Sequence, residues 1–230
     1  MIIGGITNLT LLDYPEKVAC TVFTVGCNFR CPFCHNNLLV CGNNNGAQIT
    51  AEEALRFLQK RRNVLEGMCL TGGEPLIQHG VEDFLSRVKA MGYSVKLDTN
   101  GAFPDRLKSL VNMGLIDYVA MDVKNSFERY PQTAGCSAAD LDKVAQSVEY
   151  LKSGAADYEF RTTVTGNLHD EYSIEDMAQR LKGAKKLYLQ MFVNSGDLID
   201  PSTIGCGVET MERYLQIVRK YVPTAELRGV

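Results

Sequence analysis

The sequence predicts an α/β fold of about six βα units, arranged as a barrel of fewer than eight strands or as an open sheet. Strand-like and helix-like segments alternate along the chain with short breaks, which is typical of parallel strands joined by crossover helices. Some strand candidates are almost continuously apolar, as strands buried on both faces are. The length of 230 residues suits one substantial domain, so residues 1–230 are expected to form a single domain.

Each element has its own signal in the sequence. The first strand is predicted over residues 18–25, a β-branched and apolar run, and a helix follows Thr50, whose capping box is completed by Glu53. The second strand is predicted over residues 68–71, and the helix after it ends near Gly92. Further strands are predicted over residues 94–98, 118–122, 158–164 and 186–192. Further helices are predicted around residues 107–111, 144–151, 177–181 and 209–221.

The composition excludes several classes of protein. With 45% hydrophobic residues, 22% charged residues and a net charge of -3, neither disorder nor a nucleic-acid-binding surface is expected. The N-terminus lacks a basic segment followed by an apolar core, and no apolar run is long enough to span a bilayer. The sequence therefore predicts a cytoplasmic protein without a membrane segment. Eight cysteines in such a protein argue against a disulfide framework, because cytosolic thiols are kept reduced.

Three cysteines stand together directly after the first predicted strand. Residues 26–36 read GCNFRCPFCHN, which places Cys27, Cys31 and Cys34 at CxxxCxxC spacing in one loop. Soft thiolates select zinc, copper(I) or an iron–sulfur cluster. A cubane cluster held by only three thiolates leaves one iron open to an outside ligand, and an open iron indicates chemistry.

Two other interpretations of this loop remain open. A structural zinc site could be completed by His35 or Cys41, although zinc sites usually contain a second CxxC-like hook and this chain has none. An iron–sulfur electron carrier would need a fourth protein ligand, for which Cys41 is the nearby candidate. The remaining cysteines are isolated and are expected to be small buried apolar residues: Cys20, Cys69, Cys136 and Cys206.

Other polar and glycine-rich residues also follow predicted strands, where ligands bind in parallel α/β folds. They lie at residues 72–74, 98–101 and 122–124. Taken singly, these segments could be a plain turn, an Asx-type turn and a solvated ion pair. Arg161, on the fifth predicted strand, would need an anionic partner inside a barrel. Residues 42–46, GNNNG, indicate a flexible loop.

The cysteine segment resembles the signature of the radical S-adenosylmethionine (SAM) superfamily. The longer stretch from Asp13 to Asn36 is similar to the branch that activates glycyl radical enzymes, most of all to activating proteins of anaerobic ribonucleoside-triphosphate reductase. This resemblance implies a partial (β/α)6 barrel of radical SAM type with a [4Fe–4S] cluster on Cys27, Cys31 and Cys34. It also implies SAM as cofactor, a glycyl radical enzyme as partner and a flavodoxin- or ferredoxin-like electron donor.

The resemblance further implies which residues contact SAM. Gly72-Gly73-Glu74 would hold the amino group of the methionine moiety, and a monovalent cation near the carboxylate would be held by Asp98, Thr99 and Asp122. The other implied contacts with SAM come from Phe33, Cys34, His35, Asn100, Lys124 and Arg161, besides Asp98 itself. No catalytic residue is implied beyond the cluster and the bound SAM.

Two departures from the activating enzymes narrow the interpretation. These enzymes commonly have a glycine after the Asp-x-Pro element, where this chain has Glu16, so that this turn is expected to differ. The formate-lyase activating enzymes carry a histidine at the end of the last strand, where residues 190–193 read QMFV. This favours the reductase-activating group. The alternative within the superfamily is an enzyme that acts on a small molecule, similar to a deazaguanine synthase.

Overall fold

The structure is a computed structural model and describes residues 1–41, 48–194 and 196–230. Its strands are β1 (Ile3–Thr10), β2 (Ala19–Thr24), β3 (Gly67–Gly72), β4 (Ser94–Thr99), β5 (Tyr118–Asp122), β6 (Asp157–Val164), β7 (Leu187–Met191) and β8 (Glu226–Arg228). Its α-helices are α1 (Asn37–Val40), α2 (Ala51–Arg61), α3 (Val81–Ala90), α4 (Pro104–Asn112), α5 (Tyr130–Ala134), α6 (Ala138–Lys152), α7 (Glu171–Arg180) and α8 (Val208–Arg219). The loop predicted at residues 42–46 lies outside the described residues.

The described residues form two compact units. The first unit consists of Met1–Asn28, Leu38–Thr99 and Phe103–Ala120. The second unit consists of Phe29–Asn37, Asn100–Ala102 and Met121–Val230.

In the first unit the strand order is β1-β2-β3-β4-β5. Strand β1 pairs with β2 in the antiparallel direction, whereas β2 with β3 and β3 with β4 are parallel pairs. Helices α2 and α3 bury one apolar stripe each, including Leu55 and Leu58 on α2 and Phe84 and Val88 on α3. This 3.6-residue periodicity places their apolar side chains on one face, as the sequence predicts.

The start of α2 confirms the predicted capping box. The Thr50 hydroxyl accepts a hydrogen bond from the Glu53 amide over 3.2 Å, and the Glu53 carboxylate accepts one from the Thr50 amide over 2.8 Å. Two backbone donors that a helix N-terminus otherwise leaves without partners are satisfied in this way.

In the turn before β2, Glu16 adopts a backbone conformation that glycine prefers. Glu16 has φ 63°, in the left-handed region that L-residues with a side chain rarely adopt. The turn is closed by a hydrogen bond from the Lys17 amide to the Tyr14 carbonyl oxygen, and the buried Tyr14 ring packs against Tyr118 and Ala19. Glu16 thus occupies a conformation that glycine would adopt without strain, and whether the turn differs from that of the activating enzymes stays a prediction.

In the second unit the strand order is β6-β7-β8. The pairs β6–β7 and β7–β8 are parallel, and the Val123 amide, just after β5, donates to the Arg161 carbonyl oxygen on β6 over 2.9 Å. Helices α6, α7 and α8 bury apolar side chains such as Val144, Met177 and Val218. These helices cover the apolar residues of the strands, as crossover helices do in α/β folds.

The six predicted strands correspond to β2 to β7, and four short or exposed elements were missed. Strand β1 is half-exposed and pairs along one side with β2, so its sequence has no buried apolar run. Strand β8 has three residues, and helices α1 and α5 have four and five. Such lengths are too short for a periodic pattern to develop.

No helix among the described residues has both the length and the apolar character needed to cross a bilayer.

Candidate functional site

In the first unit, the residue before Cys27 lies against the loop that follows β3. Gly26 donates its amide to the Leu39 carbonyl oxygen over 2.8 Å and accepts the Glu74 amide over 2.8 Å. Gly73 donates to the Thr24 carbonyl oxygen over 2.9 Å. The end of β2, which leads into the cysteine loop, is therefore fixed by backbone hydrogen bonds to the Gly-Gly-Glu segment.

Both glycines of this segment are needed because the backbones approach so closely. A Cβ atom at Gly73 would lie 1.9 Å from the Gly26 carbonyl oxygen, and one at Gly72 would lie 2.3 Å from the Thr24 nitrogen. Gly72 also has φ 114°. Gly72 and Gly73 therefore do more than form a turn, because the absence of their side chains lets the ends of β2 and β3 approach each other.

The Glu74 side chain is fully buried and contacts two other parts of the first unit. Its Oε1 atom accepts hydrogen bonds from the Leu76 amide over 3.0 Å and from the Thr99 hydroxyl over 2.8 Å. The first contact caps a 3₁₀ turn (Pro75–Ile77), and the second joins the end of β3 to the end of β4. Glu74 therefore holds together the two strand ends at which the sequence predicts SAM contacts.

Asp98 on β4 lies among polar side chains of β3 and β4. Its carboxylate forms an ion pair with Lys96, lies 3.4 Å from the Thr71 hydroxyl and lies 3.6 Å from the Cys69 sulfur. Lys96 is 2% exposed and had no predicted role. The one indication in the sequence is its place, two residues before an aspartate within a predicted strand. Cys69 is buried as expected, but its neighbours here are charged.

In the second unit, Cys31 and Cys34 form a short turn. The Cys34 amide donates to the Cys31 carbonyl oxygen over 3.0 Å, and Cys31 is buried whereas Cys34 is half-buried. The Arg30 amide donates to the Ala134 carbonyl oxygen over 2.8 Å, and the Asp200 amide donates to the Pro32 carbonyl oxygen over 2.9 Å. The turn is thus anchored on both sides by backbone hydrogen bonds within its own unit.

Two cations of the second unit share one carboxylate. The Lys124 ammonium lies 2.8 Å from Asp122 Oδ2, and Arg161 Nε lies 2.9 Å from Asp122 Oδ1. Burial by itself would raise the pKa of Asp122, but the charges of Arg161 and Lys124 hold it well below its usual range. Arg161 thus has an anionic partner, as its position on a strand required.

Lys124 also lies near the cysteine turn. Burial by itself would lower the pKa of Lys124, but the neighbouring Asp122 carboxylate and the Cys31 sulfur raise it above its usual range. The ammonium lies 5.9 Å from the centre of the buried Phe33 ring.

The side chains of His35 and Asn100 contact other residues of the second unit. The exposed His35 ring stacks on Phe192 with centroids 5.4 Å apart, and its Nε2 atom lies 2.8 Å from the Val193 carbonyl oxygen. The Asn100 side chain accepts a hydrogen bond from the Ala102 amide over 3.0 Å, which forms the Asx-type turn expected there. Their contacts with SAM stay predictions.

The isolated cysteines divide into two kinds. Cys20 and Cys69 are buried, as the sequence predicts, whereas the prediction of burial is wrong for Cys136 and Cys206, which are half-buried. Burial raises the pKa of Cys20 to about 12 and the pKa of Cys136 to about 11, so both thiols stay protonated at neutral pH. Cys41 is exposed.

Within the three described ranges, no three His, Cys, Asp or Glu side chains are grouped in a way that could hold a single metal ion. The cation predicted on Asp98, Thr99 and Asp122 and the cluster on the three cysteines stay predictions.

Known proteins resemble this chain over most of its length. A family model described as the radical SAM superfamily matches residues 21–182. A Methanocaldococcus jannaschii protein provisionally named as a glycyl-radical enzyme activating enzyme is 32% identical over 195 residues, which is 83% of this chain and 80% of that protein. The pyruvate formate-lyase-activating enzyme of Clostridium pasteurianum is 28% identical over 159 residues, which is 65% of this chain and 63% of that enzyme.

Among solved structures, SuiB of Streptococcus suis matches 91% of this chain with a TM-score of 0.68 and 12% identity. This chain spans 48% of the length of SuiB, and at this identity the match concerns the fold alone. It confirms the predicted α/β fold with mostly parallel strands.

Proposed function

The chain belongs to the radical SAM superfamily, whose members use a [4Fe–4S] cluster and SAM, and on this premise we propose that it activates a glycyl radical enzyme. The partner would be an anaerobic ribonucleoside-triphosphate reductase. One observation carries the proposal, namely 32% identity over 83% of the chain to a protein provisionally named as such an activating enzyme. Residues 1–230 would act as a single radical SAM domain.

The cysteine segment has the donor chemistry that an iron–sulfur cluster requires. Cys27, Cys31 and Cys34 would hold the cluster, since three thiols lie within eight residues of one loop. The fourth iron would be left for SAM.

The bound cofactors supply the hard chemistry: one electron cleaves SAM into methionine and a 5′-deoxyadenosyl radical, which removes a hydrogen atom from a glycine Cα of the partner. The electron would come from a flavodoxin- or ferredoxin-like donor. The protein has to position SAM and exclude water.

The charges of the second unit suit an anionic ligand group. Lys124 and Arg161 are both cationic, and their side chains are only 12% and 14% exposed. A low dielectric strengthens their attraction for a carboxylate such as that of the methionine moiety. We assign this carboxylate to Lys124 and Arg161, and the rest of the predicted SAM contacts to Phe33, Cys34, His35, Gly72, Gly73, Glu74, Asp98 and Asn100.

The choice of reductase over formate lyase depends on the end of β7. The formate-lyase activating enzymes have a histidine there, whereas this chain has Met191 followed by Phe192. Phe192 instead stacks with His35. We therefore favour the reductase as partner.

The test uses anaerobically purified protein reconstituted with iron and sulfide. It is mixed with dithionite, SAM and a cognate anaerobic reductase, and the glycyl radical doublet is sought by EPR spectroscopy. A doublet on the reductase, together with 5′-deoxyadenosine, is the expected result. If 5′-deoxyadenosine forms without a doublet, the partner assignment fails and a small-molecule substrate becomes the better explanation. If no 5′-deoxyadenosine forms on iron-loaded protein, the radical function itself fails.

A further inference from the structure

We propose that the Lys96 ammonium takes the place of a monovalent cation at the Asp98 carboxylate. The proposal rests on the proposed function in one respect, since Asp98 is among the residues that the family resemblance assigns to a cation beside SAM. It goes further by assigning the charge to a side chain of this chain. All the residues that carry the argument at Asp98 belong to the first unit.

The strand register brings the four polar side chains together. Lys96 and Asp98 are two residues apart on β4, so their side chains project from the same face of the sheet. Cys69 and Thr71 are likewise two apart on β3, and Cys69 pairs in register with Lys96. The Lys96 ammonium contacts the Asp98 carboxylate and lies 3.8 Å from the Cys69 sulfur. The position of the ammonium is thus determined by two adjacent strands.

Burial makes this ion pair unusual. The Lys96 side chain is 2% exposed and that of Asp98 is 16% exposed. A lysine is almost never so fully buried unless its charge is paired, because desolvation of an ammonium is costly. The ammonium is also a compact point charge, which resembles a metal cation more closely than a planar guanidinium does. Lys96 and Asp98 together are neutral, so an added cation would meet no uncompensated charge there.

The other predicted cation ligands also have protein partners. The Thr99 hydroxyl donates to Glu74 Oε1 over 2.8 Å in the first unit. In the second unit, Asp122 binds both Lys124 and Arg161. The residues present therefore fit a protein-supplied positive charge better than an added monovalent ion.

The test measures the melting temperature of the anaerobic holoprotein in sodium, potassium or tetramethylammonium chloride at equal ionic strength. Wild type is expected to melt at the same temperature in all three salts. Lys96→Ala is expected to melt roughly 4–10 °C lower in tetramethylammonium chloride, because it removes an ammonium that contacts a mostly buried carboxylate. Sodium or potassium, which are small enough to enter the vacated space, should then restore part of the loss.

Lys89→Ala is the matched control. Lys89 forms an ion pair with Asp117 in the same unit, but the two side chains are 26% and 40% exposed. Its loss should lower the melting temperature only slightly and equally in all three salts. If Lys96→Ala does not fold, Lys96→Gln is measured instead, with the same expectation.

Two results would overturn the proposal. One is a wild-type protein that sodium or potassium stabilises over tetramethylammonium, since an ion would then bind beside Lys96. The other is a Lys96 variant that the small cations do not stabilise, which would make the pair merely structural. The melting temperature can be measured without SAM and without turnover. The proposal about Lys96 can therefore fail or succeed independently of the proposed function.

Discussion

The backbone amide of Glu74 donates a hydrogen bond to the carbonyl oxygen of Gly26 over 2.8 Å, and Gly26 directly precedes Cys27. The loop that carries the three cysteines thus begins at a point fixed by the Gly-Gly-Glu loop. Cys27 and Gly72 begin two motifs that lie 45 residues apart in the sequence. Within the first unit, a backbone hydrogen bond connects the starts of these two motifs. Their proximity follows from the parallel pairing of β2 with β3.

Gly73→Ala tests this close approach. The added Cβ would lie 1.9 Å from the Gly26 carbonyl oxygen, so the two loops must separate. We expect the free energy of unfolding to fall by about 1–3 kcal/mol, as in other overpacked sites. Urea denaturation measures the change. Gly5→Ala is the control, because a Cβ at Gly5 would meet nothing within 4 Å. An equal loss in both variants would contradict the argument.

Glu16→Gly should stabilise the protein. The left-handed conformation at φ 63° costs a residue with a Cβ atom about 1–2 kcal/mol, whereas glycine adopts it freely. Glycine also raises the entropy of the unfolded chain, so we expect a net gain of roughly 0.5–1 kcal/mol in the free energy of unfolding. Glu16→Ala keeps the Cβ atom and should show no such gain. If the glycine variant is less stable than wild type, the claim that the backbone of Glu16 is strained is wrong.

Much of the fold could be predicted because its signals are local. The apolar run of β2 and the capping box at Thr50 and Glu53 depend on neighbours in sequence, and both are found. The burial of Lys96 could not be predicted in this way: its ion-pair partner Asp98 is only two residues away, but its position beside Cys69 depends on the pairing of β4 with β3. Glu74 was expected to contact a ligand, but no local pattern indicated that it would also accept a hydrogen bond from Thr99, 25 residues further along the chain.

His169 should make stability depend on pH. Its Nε2 atom lies 2.9 Å from the Lys124 carbonyl oxygen and its Nδ1 atom accepts the Thr165 amide over 3.2 Å, so the buried ring is a structural histidine. Burial lowers the pKa of His169 below its usual value. The histidine of the unfolded chain therefore binds a proton more readily than that of the folded chain. The stability that the neutral His169 ring contributes is present at neutral pH and is lost as the pH falls below about 6.5.

The measurement compares wild type with His169→Gln in urea between about pH 8 and pH 5.5, a range that spans the titration of an unfolded histidine. The free energy of unfolding of wild type should fall more steeply on acidification than that of the variant. Parallel curves would show that His169 does not titrate between the two states.

Arg228→Met should destabilise the C-terminal strand. Both guanidinium nitrogens of Arg228 bind the Glu159 carboxylate, at 2.8 and 2.9 Å, and Glu159 is 1% exposed. Removal of Arg228 takes two charge-assisted hydrogen bonds from a buried carboxylate, and we expect the free energy of unfolding to fall by about 2–4 kcal/mol because Arg228 itself is partly exposed. The double variant with Glu159→Met should recover most of this loss. If it does not, packing of Arg228 on Tyr188, rather than the ion pair, is the main contribution.

The most direct test of the central claim is the yield of 5′-deoxyadenosine from reconstituted cysteine variants, with bound iron measured in the same samples. Cys31→Ala should lose iron and produce no 5′-deoxyadenosine, because Cys31 is proposed as one of three cluster ligands. Cys41→Ala should retain both, because the exposed Cys41 lies outside the CxxxCxxC segment. Iron retained by Cys31→Ala and lost by Cys41→Ala, or no 5′-deoxyadenosine from iron-loaded wild type, would contradict the account.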